Sequence, residues 1–321
     1  MTDRGRVRGA LLGLAAGDAL GTTVEFSRPE TFQPMTDIVG GGPFGLPAGA
    51  WTDDTSMALC LAESLVERRC FDPVDQLRRY VRWYRQGYLS STGKFFDIGI
   101  ATRAALERFE HTGEPYPGDA DPDAAGNGSL MRLAPVALAS TGDANAAVAL
   151  AGLSSRTTHG GRQATDACRY FAGLLVGALN GVDAGRLLAD VFEPVPGAWD
   201  REPLHPEIQA VAAGSFRSKS PPAIRGGGYV VAALEAALWA LHTTETFRDG
   251  ALAAVNLGDD ADTTGAIYGQ LAGAVYGVDG IPAKWLERIV LRERIEALAD
   301  GLHELATSKA SLTPDSPAPR P

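Results

Sequence analysis

The sequence predicts an all-α fold in a single domain, and three observations carry that prediction. Apolar residues recur at steps of three and four along most of the chain, the period of a helix buried on one face. Alternating Val, Ile and Thr runs of strand type are scarce. Glycine is in excess, with 38 of 321 residues, or about 12% where about 7% is usual. Eight of these glycines stand four apart, as Gly9, Gly13, Gly17 and Gly21 and as Gly265, Gly269, Gly273 and Gly277. On a helix that spacing makes a ridge without Cβ atoms, against which a second helix can pack closely. An interior glycine costs roughly 0.8–1 kcal/mol relative to alanine, so eight of them imply a contact that returns more. Both ridges are therefore expected in the core and against each other. That packing would bring Asp18 and Glu25, at the end of the first, near Asp260 and Asp262, at the start of the second.

The helices follow in order. Residues 8–20 carry the first ridge in an Ala/Leu-rich run, and 55–69 follow a Thr/Asp cluster. Residues 74–86 start behind Pro73, placed where a first helical turn accepts proline. Residues 98–109, 144–153 and 163–179 are Ala- and Leu-rich, and 229–241 are almost wholly apolar. Residues 264–276 carry the second ridge, and 282–306 open at Pro282. Gly- and Pro-rich loops are expected at 38–49, 113–128, 194–206 and 218–228. The domain is expected to span residues 1–307, with a polar, proline-rich and disordered tail over 308–321.

Composition narrows the function. With 29 basic and 39 acidic residues the net charge is −10, which disfavours general binding to nucleic acid or an anionic membrane. No run of about 18 uncharged apolar residues is present, so a membrane span is not expected. Asp18 interrupts the apolar run near the N-terminus, which argues against a signal peptide. Cys60, Cys70 and Cys168 are too few and odd for a disulfide framework. They read as packing residues in a reducing, cytoplasmic location.

Two motifs carry chemistry. Trp51-Thr52-Asp53-Asp54-Thr55-Ser56 opens one helix, where capping explains one or two of its polar residues. Adjacent acids after a bulky Trp51 also suit a hard cation. Gly258-Asp259-Asp260-Ala261-Asp262-Thr263-Thr264 opens another helix. Three acids in four positions repel one another unless a cation or solvent intervenes. That helix is too apolar for a fully solvated start, so a cation is favoured there. Neither cluster holds His or Cys, which argues against zinc. The EF-hand pattern is incomplete, which argues against calcium sensing. Together the clusters suit two Mg²⁺ or Mn²⁺ ions a few Å apart.

RGALLGLAAGDALG…VEF, WTDDTSMALCLAESL, FDIG, GNGSLMR, SSRTTHG, GGGYVVAALEAALWAL and NLGDDADTTGAIYGQLAGAVYG resemble, in this order, the ADP-ribosylglycohydrolases. That family includes the dinitrogenase reductase-activating glycohydrolase and the ADP-ribosylarginine and ADP-ribosylserine hydrolases. The resemblance spans about residues 8–306. It implies a compact orthogonal helical bundle, a binuclear Mg²⁺ or Mn²⁺ centre, and ADP-ribose or an ADP-ribosylated protein as partner. It implies Thr52, Asp53, Asp54, Asp260, Asp262 and Thr263 as metal ligands. Glu25 matches a glutamate that assists catalysis, and Asp53 and Asp54 are further candidates for that work. Asp97, Asn127, Gly128, Ser129, His159 and Tyr229 match positions on the substrate side. Asp97 also reads as a helix N-cap, and His159 as a residue able to do acid–base work near neutrality.

Two departures stand out. Asp259 occupies a place where many members have glycine, and the acidic stretch 119–125 is expected to shape the pocket mouth. The implied activity is metal-dependent hydrolysis of the bond at C1″ of ADP-ribose, with arginine-linked substrates slightly favoured. The alternatives are a silent metal- and ADP-ribose-binding protein and a metal-dependent nucleotide phosphoesterase. The oligomeric state is left open.

Overall fold

The computed structural model describes residues 3–121, 124–308 and 312. Among these, fifteen α-helices and no strands are found. They are α1 (Arg4–Gly21), α2 (Asp53–Arg68), α3 (Pro73–Gln86), α4 (Ile100–Thr112), α5 (Ala134–Ala139), α6 (Ala144–Arg156), α7 (Arg162–Leu179), α8 (Ala184–Leu187), α9 (Ala198–Arg201), α10 (Pro206–Ala212), α11 (Val230–Thr243), α12 (Phe247–Val255), α13 (Ala261–Tyr276), α14 (Ala283–Arg288) and α15 (Arg292–Thr307). Three isolated β-bridges tie loops together, including Asp119 to His159 and Gly126 to Tyr229. Most buried apolar side chains form one continuous core, with Trp51, Trp83 and Tyr80 among its largest members.

The two glycine ridges meet face to face, and α1 packs chiefly on α13. A Cβ built on Gly9 would lie 2.2 Å from the Gly273 carbonyl oxygen, on Gly13 2.3 Å from that of Gly269, and on Gly17 2.0 Å from that of Gly265. No real Cβ fits at such distances, so the helices approach backbone to backbone. The order of the contacts makes the pair antiparallel. The last turn of α1 therefore meets the first turn of α13, where a Cβ on Gly21 would lie 2.5 Å from the Asp262 Cα. Gly277 is the exception in the series: it ends α13 at φ 72°, with no such contact.

Several sequence expectations need correction. The single helix over 282–306 is two, because Leu291 adopts a left-handed conformation between them at φ 56°. Pro282 caps α14 from outside rather than sitting in its first turn, whereas Pro73 does begin α3. The short helices α5, α8, α9 and α10 lack enough turns to show a period. Helix α12 did carry a signal, since the Thr246 hydroxyl accepts from Asp249 N. Thr246 is an ordinary N-cap whose hydroxyl also donates to the Asp249 carboxylate. Of the tail expected to be disordered, only Ser308 and Leu312 lie within the described residues, and Leu312 is buried.

Candidate metal centre and active site

The site grows from the antiparallel α1–α13 contact. Asp18 sits in the last turn of α1, fully buried. It reaches across to α2 and accepts four hydrogen bonds there. Thr52 donates from its backbone N and its hydroxyl, both at 2.9 Å. Thr55 donates from its backbone N at 3.1 Å and its hydroxyl at 2.6 Å. Asp18 therefore caps α2 from another helix, and Thr52, the residue in the capping position, makes no side-chain cap of its own. The capping reading of this motif fails for that reason, and Asp53 and Asp54 are released for other work. The same holds at α13, where Asp260 caps nothing and its Oδ2 accepts from Asn127 Nδ2 at 2.7 Å.

A cavity of about 820 Å³ opens over these helix starts. Its wall includes Glu25, Asp53, Asp97, Asn127, Gly128, His159, Asp260, Asp262 and Thr263 from the sequence-derived set. Thr52 and Asp54 lie below it, buried. Ser129 is placed elsewhere, with its hydroxyl paired to Ser155 at 2.8 Å in the core. Tyr229 lines a second cavity of about 500 Å³ that shares Ile100, Ala101, Gly126 and Gly228 with the first. Asp119, Ala124 and Ala125, from the acidic stretch, line that second cavity. Pro122 and Asp123, also from that stretch, lie outside the described residues. Asp97 is not an N-cap: Gly99 takes that place in α4.

The site gathers more acid than its hydrogen bonds can satisfy. Thr52 Oγ1 lies 2.9 Å from Asp18, 3.1 Å from Asp54 and 3.1 Å from Asp262 oxygens. One hydroxyl has one proton to donate, so this trio needs further positive charge. Glu25 Oε2, Asp54 Oδ1 and Asp262 Oδ1 are buried without any partner. Burial first, then mutual repulsion, raises the pKa values of Asp53, Asp54 and Asp262 well above the carboxylate range. The same causes push Glu25 up to about 12, while burial lifts Asp18 and Asp97 to about 6. Among the described residues no Lys or Arg lines the cavity. The N-termini of α2 and α13 offset part of the charge.

These oxygens fit hard divalent cations. One oxygen each from Asp18, Asp54 and Asp262 lies within 4.8 Å of the others, and so do oxygens of Glu25, Asp97 and Asp262. In the first trio Asp18 is already saturated by its four donors, so it orients Thr52 while Asp54 and Asp262 present unpartnered atoms. Asp18 is the residue that the sequence-derived site set omitted. Its signal was a lone acid inside a buried apolar helix.

His159 is buried and electrically quiet. Burial first, and Arg132 second, push its imidazole down to about 3, so acid–base work near neutrality does not fit this placement. Arg132 is fully buried and donates to the Gly128 carbonyl, and to the Thr157 and Thr158 hydroxyls at 3.2 and 2.8 Å. Thr158 Oγ1 then lies 2.8 Å from His159 Nδ1. If His159 carried its proton on Nδ1, the Thr158 hydroxyl proton would have no acceptor there. Nδ1 therefore accepts, and Nε2 carries the ring proton as a fixed donor. Nitrogen-15 shifts of His159 should show this neutral tautomer unchanged from about pH 5 to about pH 8. A midpoint near the ordinary value of about 6.5 would contradict it. The linkage has a definite sign. The folded pKa lies below the unfolded one, so this stability is present above about 6.5 and is lost as pH falls, about 2 kcal/mol of it by pH 5.

Backbone geometry accounts for the Asp259 departure. Phe26 N donates to the Asp259 carbonyl and Asp259 N to that of Ser27, both at 2.7 Å. This pairing holds Asp259 at φ 53°, a left-handed conformation that glycine adopts without cost.

This all-α fold sinks clustered, unpartnered carboxylates that could hold cations beneath a glycine-lined cavity. The chain belongs to the ADP-ribosylglycohydrolase family, whose family-wide pattern matches residues 1–311. It is 46% identical over 301 residues to the ADP-ribosylarginine hydrolase Tri1 of Pseudomonas putida strain GB-1, covering 94% of this chain and 78% of that one. It is 33% identical over 310 residues to the ADP-ribosyl-[dinitrogen reductase] glycohydrolase of Rhodospirillum rubrum, covering 94% of this chain and 96% of that one. A solved structure described as an ADP-ribosylglycohydrolase-related protein complex superposes with a TM-score of 0.83 at 48% identity, covering 95% of this chain and 99% of that chain. No described helix is long and apolar enough to cross a membrane.

Proposed function

We propose that this protein hydrolyses the N-glycosidic bond between C1″ of ADP-ribose and an arginine guanidine, using two Mg²⁺ or Mn²⁺ ions. The observation that carries this reading is the set of unpartnered oxygens of Glu25, Asp54 and Asp262 at the floor of the cavity. Clustered oxygens of Asp54 and Asp262, and of Glu25, Asp97 and Asp262, support two cation positions. Arginine as the attachment point is supported by the names of two relatives, at 46% and 40% identity, both ADP-ribosylarginine hydrolases. We assign Asp54, Asp262, Asp53, Asp260, Thr52 and Thr263 as the residues that would hold the ions, with Asp18 orienting Thr52. When bound, the ions would supply positive charge for the ribose hydroxyls and lower the pKa of a water.

The remaining chemistry belongs to the chain. A water oxygen bonds to C1″ as the bond from C1″ to the guanidine nitrogen breaks, through an oxocarbenium-like state. Glu25 and Asp97 line one cavity with pKa values pushed apart, about 12 and about 6. Both values are raised chiefly by burial, and a bound cation would lower both. One of Glu25 and Asp97 accepts the proton from water, and the other gives one to the departing nitrogen. His159 Nε2 and the backbone around Gly128 donate to the anionic part of the ligand. The buried thiols of Cys60 and Cys168 fit a cytoplasmic location.

The test is product analysis with ADP-ribosylarginine and with serine-linked ADP-ribosyl peptide, in Mg²⁺ or Mn²⁺. Intact ADP-ribose from the arginine substrate is the expected product. AMP would establish a phosphoesterase instead, and no turnover a binding protein.

A further inference from the structure

Phe26 is out of place by the ordinary rules of packing. It follows Glu25 directly, lines the same cavity, and is nonetheless 68% exposed. Its backbone is left-handed at φ 60°, a rare conformation for a bulky residue. Its N donates to the Asp259 carbonyl and Asp259 N donates to the carbonyl of the next residue, Ser27, which locks it there. Its ring meets Phe44 edge-on, at 6.3 Å between centroids and 74° between planes, and Phe44 in turn packs on Phe96 at 5.3 Å. Exposed surface and a strained backbone are both unfavourable, and both are held at the rim of the reaction cavity. Asp259 lines that cavity and also a neighbouring groove of about 660 Å³ formed with Pro29, Glu30, Arg225 and Trp239. An aromatic face beside negative charge suits a planar cation.

We propose that Phe26 selects the leaving group: its ring stacks on the guanidinium of the modified arginine, with Asp259 supplying complementary charge at the rim. This rests on the arginine reading above. A serine-linked substrate presents no cation there and would gain little.

The experiment measures kinetics of the full-length protein on ADP-ribosylarginine, together with calorimetry on free ADP-ribose. Phe26→Leu keeps apolar bulk and removes the π face, and Phe26→Tyr restores it. The expected result is a KM for ADP-ribosylarginine raised roughly 5- to 30-fold in Phe26→Leu, with a smaller change in kcat and recovery in Phe26→Tyr. Affinity for free ADP-ribose should stay at the wild-type value in both. An unchanged KM overturns the proposal. So does a parallel loss of ADP-ribose affinity, which would assign Phe26 to the other half of the ligand or to folding. If the wild-type protein releases no ADP-ribose from the arginine substrate, the underlying reading fails first, and Phe26 falls with it.

Discussion

Asp262→Asn should make the metal-free protein more stable while removing both its activity and its response to cations. Asp262 belongs to both carboxylate trios and has an unpartnered buried oxygen. The amide nitrogen of Asn can donate to Thr52 Oγ1, which lies 3.1 Å from the carboxylate oxygen, and the repulsion on Asp54 and Glu25 falls. We expect about 1–2 kcal/mol of added stability without metal, a few degrees in Tm. Wild-type protein should instead be stabilised by saturating Mg²⁺ or Mn²⁺, by about 2.7 kcal/mol at a hundred times Kd. The variant should lose most of that gain, and kcat/KM should drop by roughly 10³-fold or more. The pH dependence has the same origin. Burial lifts Asp18 and Asp97 from 3.8 to about 6. Their contribution to stability is full below the unfolded pKa and is lost as pH rises through the folded one. Metal-free protein should therefore weaken between about pH 4 and beyond pH 6, and added cations should flatten that slope. Thermal melts over pH, with and without Mn²⁺, decide it. A metal-free Asp262→Asn protein less stable than wild type would contradict the repulsion argument.

Gly17→Ala should be strongly destabilising although it improves helix propensity. Propensity alone predicts a gain of roughly 1 kcal/mol. Yet the new methyl would sit 2.0 Å from the Gly265 carbonyl oxygen and 2.4 Å from its carbon. Backbone cannot step aside as a side chain can, so the helices must separate. We expect a net loss of about 3 kcal/mol or more, a fall of at least roughly 4 °C in Tm. The separation would also move Asp18 away from Thr52, so metal-induced stabilisation should disappear with it. Gly152→Ala in α6 is the control. Its methyl would meet only side-chain carbons of Arg169, the nearest at 3.3 Å, and propensity should govern. Equal melting behaviour of the two variants would mean that the ridges do not set the helix spacing.

Helices such as α3 and α15 were legible because each buries one face and leaves the other polar, whereas α1, α7 and α13 are buried almost all round and were legible from their length and their Ala, Leu and Gly content. Helix α5 was not, since every one of its six residues is buried and no period survives. The break at Leu291 was also hidden: nothing local marks a leucine for a left-handed conformation, which the surrounding fold imposes. Within the site, the two acidic motifs announced themselves by charge density at helix starts. Tyr229 and Ser129 did not reveal their orientation, because one faces a neighbouring cavity and the other the core. Neither fact depends on local sequence.

By itself the sequence determined an all-α chain with two glycine ridges, two oxygen-rich motifs and a family resemblance. Those are properties of spacing and residue type, and they survive without coordinates. Only the tertiary structure decided that the ridges run antiparallel, and with that direction came the pairing of Asp18 with Thr52 and the meeting of Asp54 with Asp262. It also decided that His159 is a neutral donor, through Arg132 and Thr158, and that Phe26 faces solvent at the rim. Charge state and exposure are set by neighbours distant in sequence, because desolvation and repulsion act through space and not along the chain.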